Sequence, residues 1–174
     1  MRAFAPDDAS LDVLADVLAG DKNSRLYKRL VFDMQVAQDV SASHNSSRLD
    51  GSFQIAVTPK PGQTPMRMAE LVREEVDRVA ASGITPRELA RAQNTIRASF
   101  LDRLASVLGK SDQLNYYNYF VGTPDYAQED AARYDRVTQA DVQRVAVQYL
   151  AKPKVVLTVV PTGERQLMVT GASR

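Results

Sequence analysis

Cysteine and tryptophan are absent from the 174 residues, and histidine occurs once, at His44. Without cysteine there is no disulfide, no thiolate nucleophile and no Cys-ligated zinc. One histidine excludes a zinc site built from two or three His within the chain, and any Ser-His-Asp triad would have to use His44. Excess charge is lacking too. The 22 Lys and Arg residues balance 21 Asp and Glu, leaving a net charge of +1. That balance argues against nucleic acid or an anionic membrane as the main partner. No apolar run approaches the ~18 residues of a membrane span. The opening Met1-Arg2-Ala3-Phe4 leads into no signal-peptide core, so any export signal is expected outside this sequence. What is present is ordinary: 44% hydrophobic and 25% charged residues, the make-up of one packed globular domain.

Apolar spacing predicts a helix from Ser10, through Leu11, Leu14, Val17 and Leu18, with Ser10 as its N-cap and Gly20 as its end. A second helix is expected over 24–34. The period then falls to two. Val36, Gln38, Val40, Ala42 and His44 alternate with Ala37, Asp39, Ser41 and Ser43, and Phe53, Ile55 and Val57 alternate with Gln54, Ala56 and Thr58. The turn-forming run 45–51 between them makes this an antiparallel hairpin. Thr64-Pro65 opens a further helix, which stops at Ser82-Gly83. Thr85-Pro86-Arg87-Glu88 is a capping box with Pro at the first helical position. It starts a long helix expected to run through Val107 and stop at Gly109. Tyr-rich 111–120 and a short segment over 126–134 are also read as helical. Thr138 to Asp141 caps a last helix reaching Leu150. The β-branched run 155–160 reads as a buried strand, and 161–174 as a tail. The order of helices, hairpin, helices and strand defines an α+β, two-layer fold: a mostly antiparallel sheet covered by helices, with a core over about 8–161 of a single domain, 1–174. Three strands are few for such a sheet, and a further strand upstream of residue 1 is expected.

Three blocks in this order resemble the insulinase/pitrilysin zinc metallopeptidase family. Ser24-Arg25-Leu26-Tyr27-Lys28-Arg29-Leu30-Val31, running into Val36-Ala37-Gln38-Asp39-Val40-Ser41-Ala42, is similar to its "SRLY…GLAYSVSA" block. Residues 83–92 resemble its "G-(I/V)-T-x-x-E-L-x-x-A" helix start. Residues 137–142, with Tyr149-Leu150, resemble its closing "V-T-x-x-D-V…YL" helix. The resemblance implies repeated α+β domains that pair into a hollow shell. The catalytic zinc there is held by a His-x-x-Glu-His helix, in which two His one turn apart bind the metal and the Glu is the general base. No such helix occurs in this sequence. The likeness is therefore to the second, non-metal domain, with no cofactor in this chain and zinc on the parent protein's catalytic domain. The implied partners are a zinc-binding domain of the same fold, in the same chain or a separate subunit, and an extended peptide or unfolded protein. A homodimer is a further option, and the resemblance favours the bacterial periplasm over the cytoplasm.

Two residues inherit a substrate-binding role from that resemblance. Arg29 lies where members carry a substrate-contacting Arg, and Gln38 lies where they carry a Tyr. A Gln donates and accepts hydrogen bonds but cannot stand in for a phenol beside an oxyanion. The alternative for Arg29 is a solvated Arg at a helix end, favoured by the helix dipole. His44 reads as a polar residue at a hairpin end. Glu70, Glu74 and Glu75 read as a solvated face balanced by Arg73 and Arg78, and Tyr116, Tyr117 and Tyr119 as half-buried packing with hydroxyls at its edge. Ser41 and Ser43 lack a G-x-S-x-G elbow and are not read as nucleophiles. The main expectation is a peptide-holding chamber wall of a zinc peptidase, inactive alone. The rival is a non-catalytic scaffold or assembly domain of the same fold. A third reading is an unrelated α+β binding module that shares only caps and periods.

Overall fold

The computed structural model describes residues 1–152 and 154–169. Helix α1 (Asp8–Ala19) runs through the centre. Leu11, Val13, Leu14, Val17 and Leu18 are all buried around it, so it lacks the broad polar face of a surface helix. It begins before Ser10, with Asp7 at the N-cap and Gly20 at the C-cap. The amide of Phe4 donates to Asp8 Oδ2 at 2.9 Å, which draws the preceding chain against the helix start and leaves Ser10 buried in the first turn rather than capping it.

Where ordinary helix is expected over 24–34, Tyr27–Asp33 form a π-helix. Its end is held by the amide of Met34, which donates to the carbonyl of Arg29, five residues back, at 3.0 Å. Such wide turns are rare and recur at functional positions. Gln35 follows with φ +54°, an uncommon left-handed conformation for a residue with a long side chain, and turns the chain into the sheet.

The sheet is the expected hairpin: β1 (Ala37–Ser46) and β2 (Gly51–Pro59), antiparallel. Val40 pairs with Val57 and His44 with Phe53. The register shifts between Ala37 and Asp39, so Gln38 is the extra residue of a bulge. Ala37 and Val40 point into the core, where α1, Leu26 and Leu30 meet them.

The remaining helices close over this centre. Thr64 caps α2 (Pro65–Ser82), and Thr85 with Glu88 forms a full capping box on α3 (Pro86–Arg103). Met68, Leu71, Val76 and Val79 of α2 are buried. The long helix expected through Val107 is in fact two. α3 stops at Arg103, and α4 (Val107–Val121) starts afresh on Ser106, whose hydroxyl accepts from the amide of Gly109. Gly109 therefore lies in the first turn of α4 rather than at a helix end. A Cβ there would sit 1.9 Å from the carbonyl oxygen of Arg103, so only glycine permits this tight elbow. α5 (Ala127–Asp135) and the capped α6 (Gln139–Val145) follow. A second π-helical stretch, Ala146–Leu150, then carries the chain to Leu150.

The run 155–160 does not form the buried strand expected of it. It has no strand pairing, and Val155, Leu157 and Val159 are exposed. Among the described residues the sheet consists of the hairpin alone, and what meets this run is the amide of Val169, which donates to the Thr158 hydroxyl at 3.3 Å rather than to a strand backbone. Of the expected tail, 161–169 include one 3-10 turn at Arg165–Leu167, and 170–174 lie outside the described residues. Among the described residues no helix is long and apolar enough to cross a membrane.

Candidate functional site

Arg29 sits on the π-helix, and its side chain reaches α2 rather than open solvent. Nη1 donates to the carbonyl of Leu71 at 3.3 Å, and Nη2 pairs with Glu74. Glu75, whose side chain is 7% exposed, lies 3.6 Å from Nη1. One helical turn earlier, Arg25 binds Glu88 through Nε at 2.6 Å and Nη2 at 2.9 Å, and also reaches the carbonyl of Gly83. Glu75 receives Arg25 at 3.7 Å and Arg78 at 3.0 Å as well. The result is a clamp of three guanidinium groups and three carboxylates, in which Arg29 ties the π-helix to α2 and Arg25, just before it, ties the chain to α2 and α3. The Arg25 hydrogen bonds hold Glu88 down at about 2, against the opposing effect of its partial burial. Arg29 does the same in direction for Glu74. The i,i+4 spacing of Arg25 and Arg29 follows one helix face, which is how one short segment carries both.

Gln38 is exposed at the bulge of β1. A bulge re-aims a side chain relative to regular strand, and this one lies shortly after the Arg29 segment. Ser41 and Ser43 also face outward from β1. Glu70 pairs with Arg67 at 3.2 Å on the outer face of α2.

His44 is the residue placed most differently from its sequence reading. Its side chain is 2% exposed, and Nδ1 lies 2.9 Å from Asp12 Oδ1 and 3.9 Å from Asp8 Oδ1. Asp8 and Asp12 are one turn apart on α1, so the central helix carries two carboxylates to the back of β1. The hydroxyl of Tyr134 donates to Asp12 Oδ2 at 2.6 Å. Arg133 donates from Nη1 to Asp8 Oδ2 at 3.1 Å, and from Nε and Nη2 to Asp130 Oδ1. Tyr117 donates to Asp130 Oδ2 at 2.9 Å, and Arg133 stacks 4.5 Å over the Phe4 ring. Burial raises the Tyr134 and Tyr117 phenols, and the carboxylates beside each raise them further. Both therefore remain protonated donors at neutral pH.

Sequence reasoning passed over Asp8, Asp12, Arg133 and Tyr134. One signal was available. Asp8, Asp12 and Asp16 recur every four residues in a helix otherwise rich in Leu, Val and Ala, an acidic stripe on an element that must be buried. Of the tyrosines, Tyr117 is 1% exposed and Tyr119 is 61% exposed. Tyr116, Tyr117 and Tyr126 ring Phe4 at 5.5–6.2 Å, a packing cluster as expected. Tyr119 instead meets Arg48 at the surface. An open cavity of about 440 Å³ lies at the α3–α4 elbow, lined by residues including Arg103, Leu108, Gly109 and Tyr116. It reaches neither Arg29 and Gln38 nor His44.

The family profile of the peptidase M16 inactive domain matches residues 4–96, which span α1, the π-helix, the hairpin, α2 and most of α3. The chain belongs to that family. No curated protein matches it, but solved structures share its fold. One is a protease from Helicobacter pylori, 19% identical with a TM-score of 0.77; the match covers 86% of this chain and 36% of that one. The inactive peptidase domain of a provisionally assigned zinc protease from Bordetella parapertussis is 23% identical with a TM-score of 0.76, covering 86% of this chain and 79% of that one. A peptidase M16 inactive domain from Pseudomonas fluorescens is 18% identical with a TM-score of 0.73, covering 85% and 35%. The chain thus spans about a third of the Helicobacter protease.

Proposed function

We propose that this chain is a wall domain of a larger zinc peptidase. The metal and general base would sit on a second domain of the same fold, and the surface at Arg29 and Gln38 would help to hold extended peptide. The observation that carries this reading is the family match over the segment that bears both residues, in a sequence with no His-x-x-Glu-His. The local structure supports it in two ways. Arg29 lies on a π-helix fixed to α2, so its guanidinium is held in place before any ligand arrives. Each hairpin strand also keeps an edge without a strand partner among the described residues, where an extended peptide can add by backbone hydrogen bonds. Hydrolysis itself would use a zinc-bound water on the partner domain; this chain would supply register and shape. An assembly domain of the same fold is the second reading. The observation that favours it is the commitment of Arg29 to Leu71, Glu74 and Glu75.

The test uses the full-length, zinc-bearing protein. Arg29→Ala should weaken peptide binding by about 10- to 100-fold, the worth of a charged hydrogen bond. Glu74→Ala, which loosens the clamp but keeps the guanidinium, should leave binding nearly unchanged. Equal losses in both variants, or no loss in either, assign Arg29 to the scaffold. Gln38→Ala reports on the bulge without touching the clamp, and Gln38→Tyr supplies the phenol that the family resemblance implies at this position.

A further inference from the structure

We propose that Asp8, Asp12 and His44 form a binding site for one divalent first-row transition cation of the zinc and manganese kind. Counting residues argues against a metal in a chain with one His and no Cys, but the fold brings together a set that counting cannot see. Asp8 Oδ1, Asp12 Oδ1 and His44 Nδ1 all lie within 4.8 Å of one another. Metal–ligand distances of about 2.0–2.2 Å place neighbouring ligand atoms about 3–3.5 Å apart, so the Asp12–His44 pair at 2.9 Å already has the spacing and Asp8 Oδ1, at 3.9 Å from the same nitrogen, needs only a small approach.

Hydrogen bonding within the cluster leaves a gap that a cation fills. Asp8 is 94% buried in its side chain, and its Oδ1 has no hydrogen-bond partner. It faces His44 Nδ1 at 3.9 Å, but that nitrogen is already engaged with Asp12 at 2.9 Å. One ring N–H cannot serve both carboxylates. A buried carboxylate oxygen without a donor is costly, and a cation between the three atoms satisfies all of them at once. The charges lean the same way. Asp8 and Asp130 share the guanidinium of Arg133, while Asp12 is held by the Tyr134 hydroxyl and His44. The outer oxygens are already oriented. Tyr134 holds Asp12 Oδ2, while Arg133 and the Phe4 amide hold Asp8 Oδ2, which turns each Oδ1 toward the imidazole. Outer partners of this kind are what fix metal-ligating carboxylates. The Asp12 side chain is 29% exposed, leaving a path for the ion and for water ligands. Two carboxylates and one imidazole suit borderline cations better than Ca²⁺ or Mg²⁺, which favour all-oxygen sets. This site is separate from the peptidase zinc and requires no reading of the chain's function.

The experiment titrates the metal-free chain with Zn²⁺ while following the imidazole nitrogen resonances of His44, which is the sole histidine and so needs no assignment by mutation. Its signals should shift and saturate at one equivalent. Calorimetry should give micromolar or tighter affinity, and Asp12→Asn and His44→Gln should each weaken it by at least about 100-fold. Co²⁺ should produce the absorption bands of a low-coordinate N/O site. Unmoved His44 resonances at one equivalent, millimolar affinity, or affinity unchanged in the two variants would each overturn the proposal. The resonance measurement stands even where a variant fails to fold.

Discussion

The molecule holds two charge clusters of opposite design. Between the segment bearing Arg25 and Arg29, α2 and α3, three guanidinium groups face three carboxylates, each carboxylate takes a hydrogen bond from one of them, and Glu75 adds ion pairs to the other two. Around His44, one guanidinium, that of Arg133, serves Asp8 and Asp130, Asp12 is held by Tyr134 and His44, and a buried Asp8 oxygen lacks a donor. The first cluster is balanced and ties three elements together, which is what a structural clamp requires. The second carries unspent negative charge on the most buried helix of the fold. That arrangement is hard to maintain for stability alone, because buried charge without partners is expensive.

The comparison predicts that the clamp fails more dramatically when its centre is lost. Glu75 is the common ion-pair partner of Arg25, Arg29 and Arg78, and accepts a hydrogen bond from Arg78. Glu75→Ala leaves three cations crowded about a small cavity and should cost about 3 kcal/mol. Urea unfolding of the variant measures it. A loss under about 1 kcal/mol would show that the clamp is ornamental and the two clusters are not different in kind.

How much of this was legible follows from how local each signal is. The caps at Thr64, Thr85 and Thr138 are four-residue patterns and appear as read. So does the hairpin, whose alternation is carried by Val40, Phe53, Ile55 and Val57. The π-helix at Tyr27–Asp33 was not legible, because one extra residue in a turn leaves the apolar spacing almost intact. The break between α3 and α4 was hidden for a related reason: Leu104 and Val107 continue the apolar series across a chain that re-caps at Ser106. Residues 155–160 have strand composition, but pairing depends on what lies alongside, which composition does not encode. The family was legible from ordered blocks. The placement of Arg29 in a clamp and of His44 in the interior was not, since both depend on hydrogen-bond partners 32–45 positions away. The sequence-based substrate roles of Arg29 and Gln38 remain proposals to be tested in the full-length protein.

Acid should separate the clusters further. Glu88 titrates near 2 when folded, against 4.5 for the free side chain, with the Arg25 hydrogen bonds the main cause. A depressed acid contributes stability above the unfolded value and loses it as pH falls toward the folded one. Glu88→Gln should therefore cost about 1–2 kcal/mol at pH 7, after allowance for solvent screening, and cost little near pH 2. Parallel unfolding curves for parent and variant at both pH values check this. A penalty that persists at pH 2 would mean that the capping hydrogen bonds to Thr85, not the ion pair, carry the effect.

Asp16 should respond with the opposite sign and the smallest effect. It continues the Asp8 and Asp12 stripe on α1, and Oδ1 is buried without a hydrogen-bond partner. Burial pushes its carboxyl up to about 6 from 3.8. The nearby Asp21 charge adds to the rise, and Arg91 opposes it. A raised acid gives its full stability below the unfolded value and loses it as pH climbs through the folded one. The folded chain should accordingly weaken between about pH 4 and pH 6 on account of this group alone. Asp16→Asn removes the charge, keeps the shape and abolishes that slope. It should stabilise the chain by about 1 kcal/mol at pH 7, discounted for partial exposure, and change nothing at pH 4. Thermal midpoints of the two proteins across that range provide the measurement. A variant less stable than the parent at pH 7 would show that Arg91 repays the buried charge in full, and the acid-rich stripe would then be balanced along part of its length, as the clamp is.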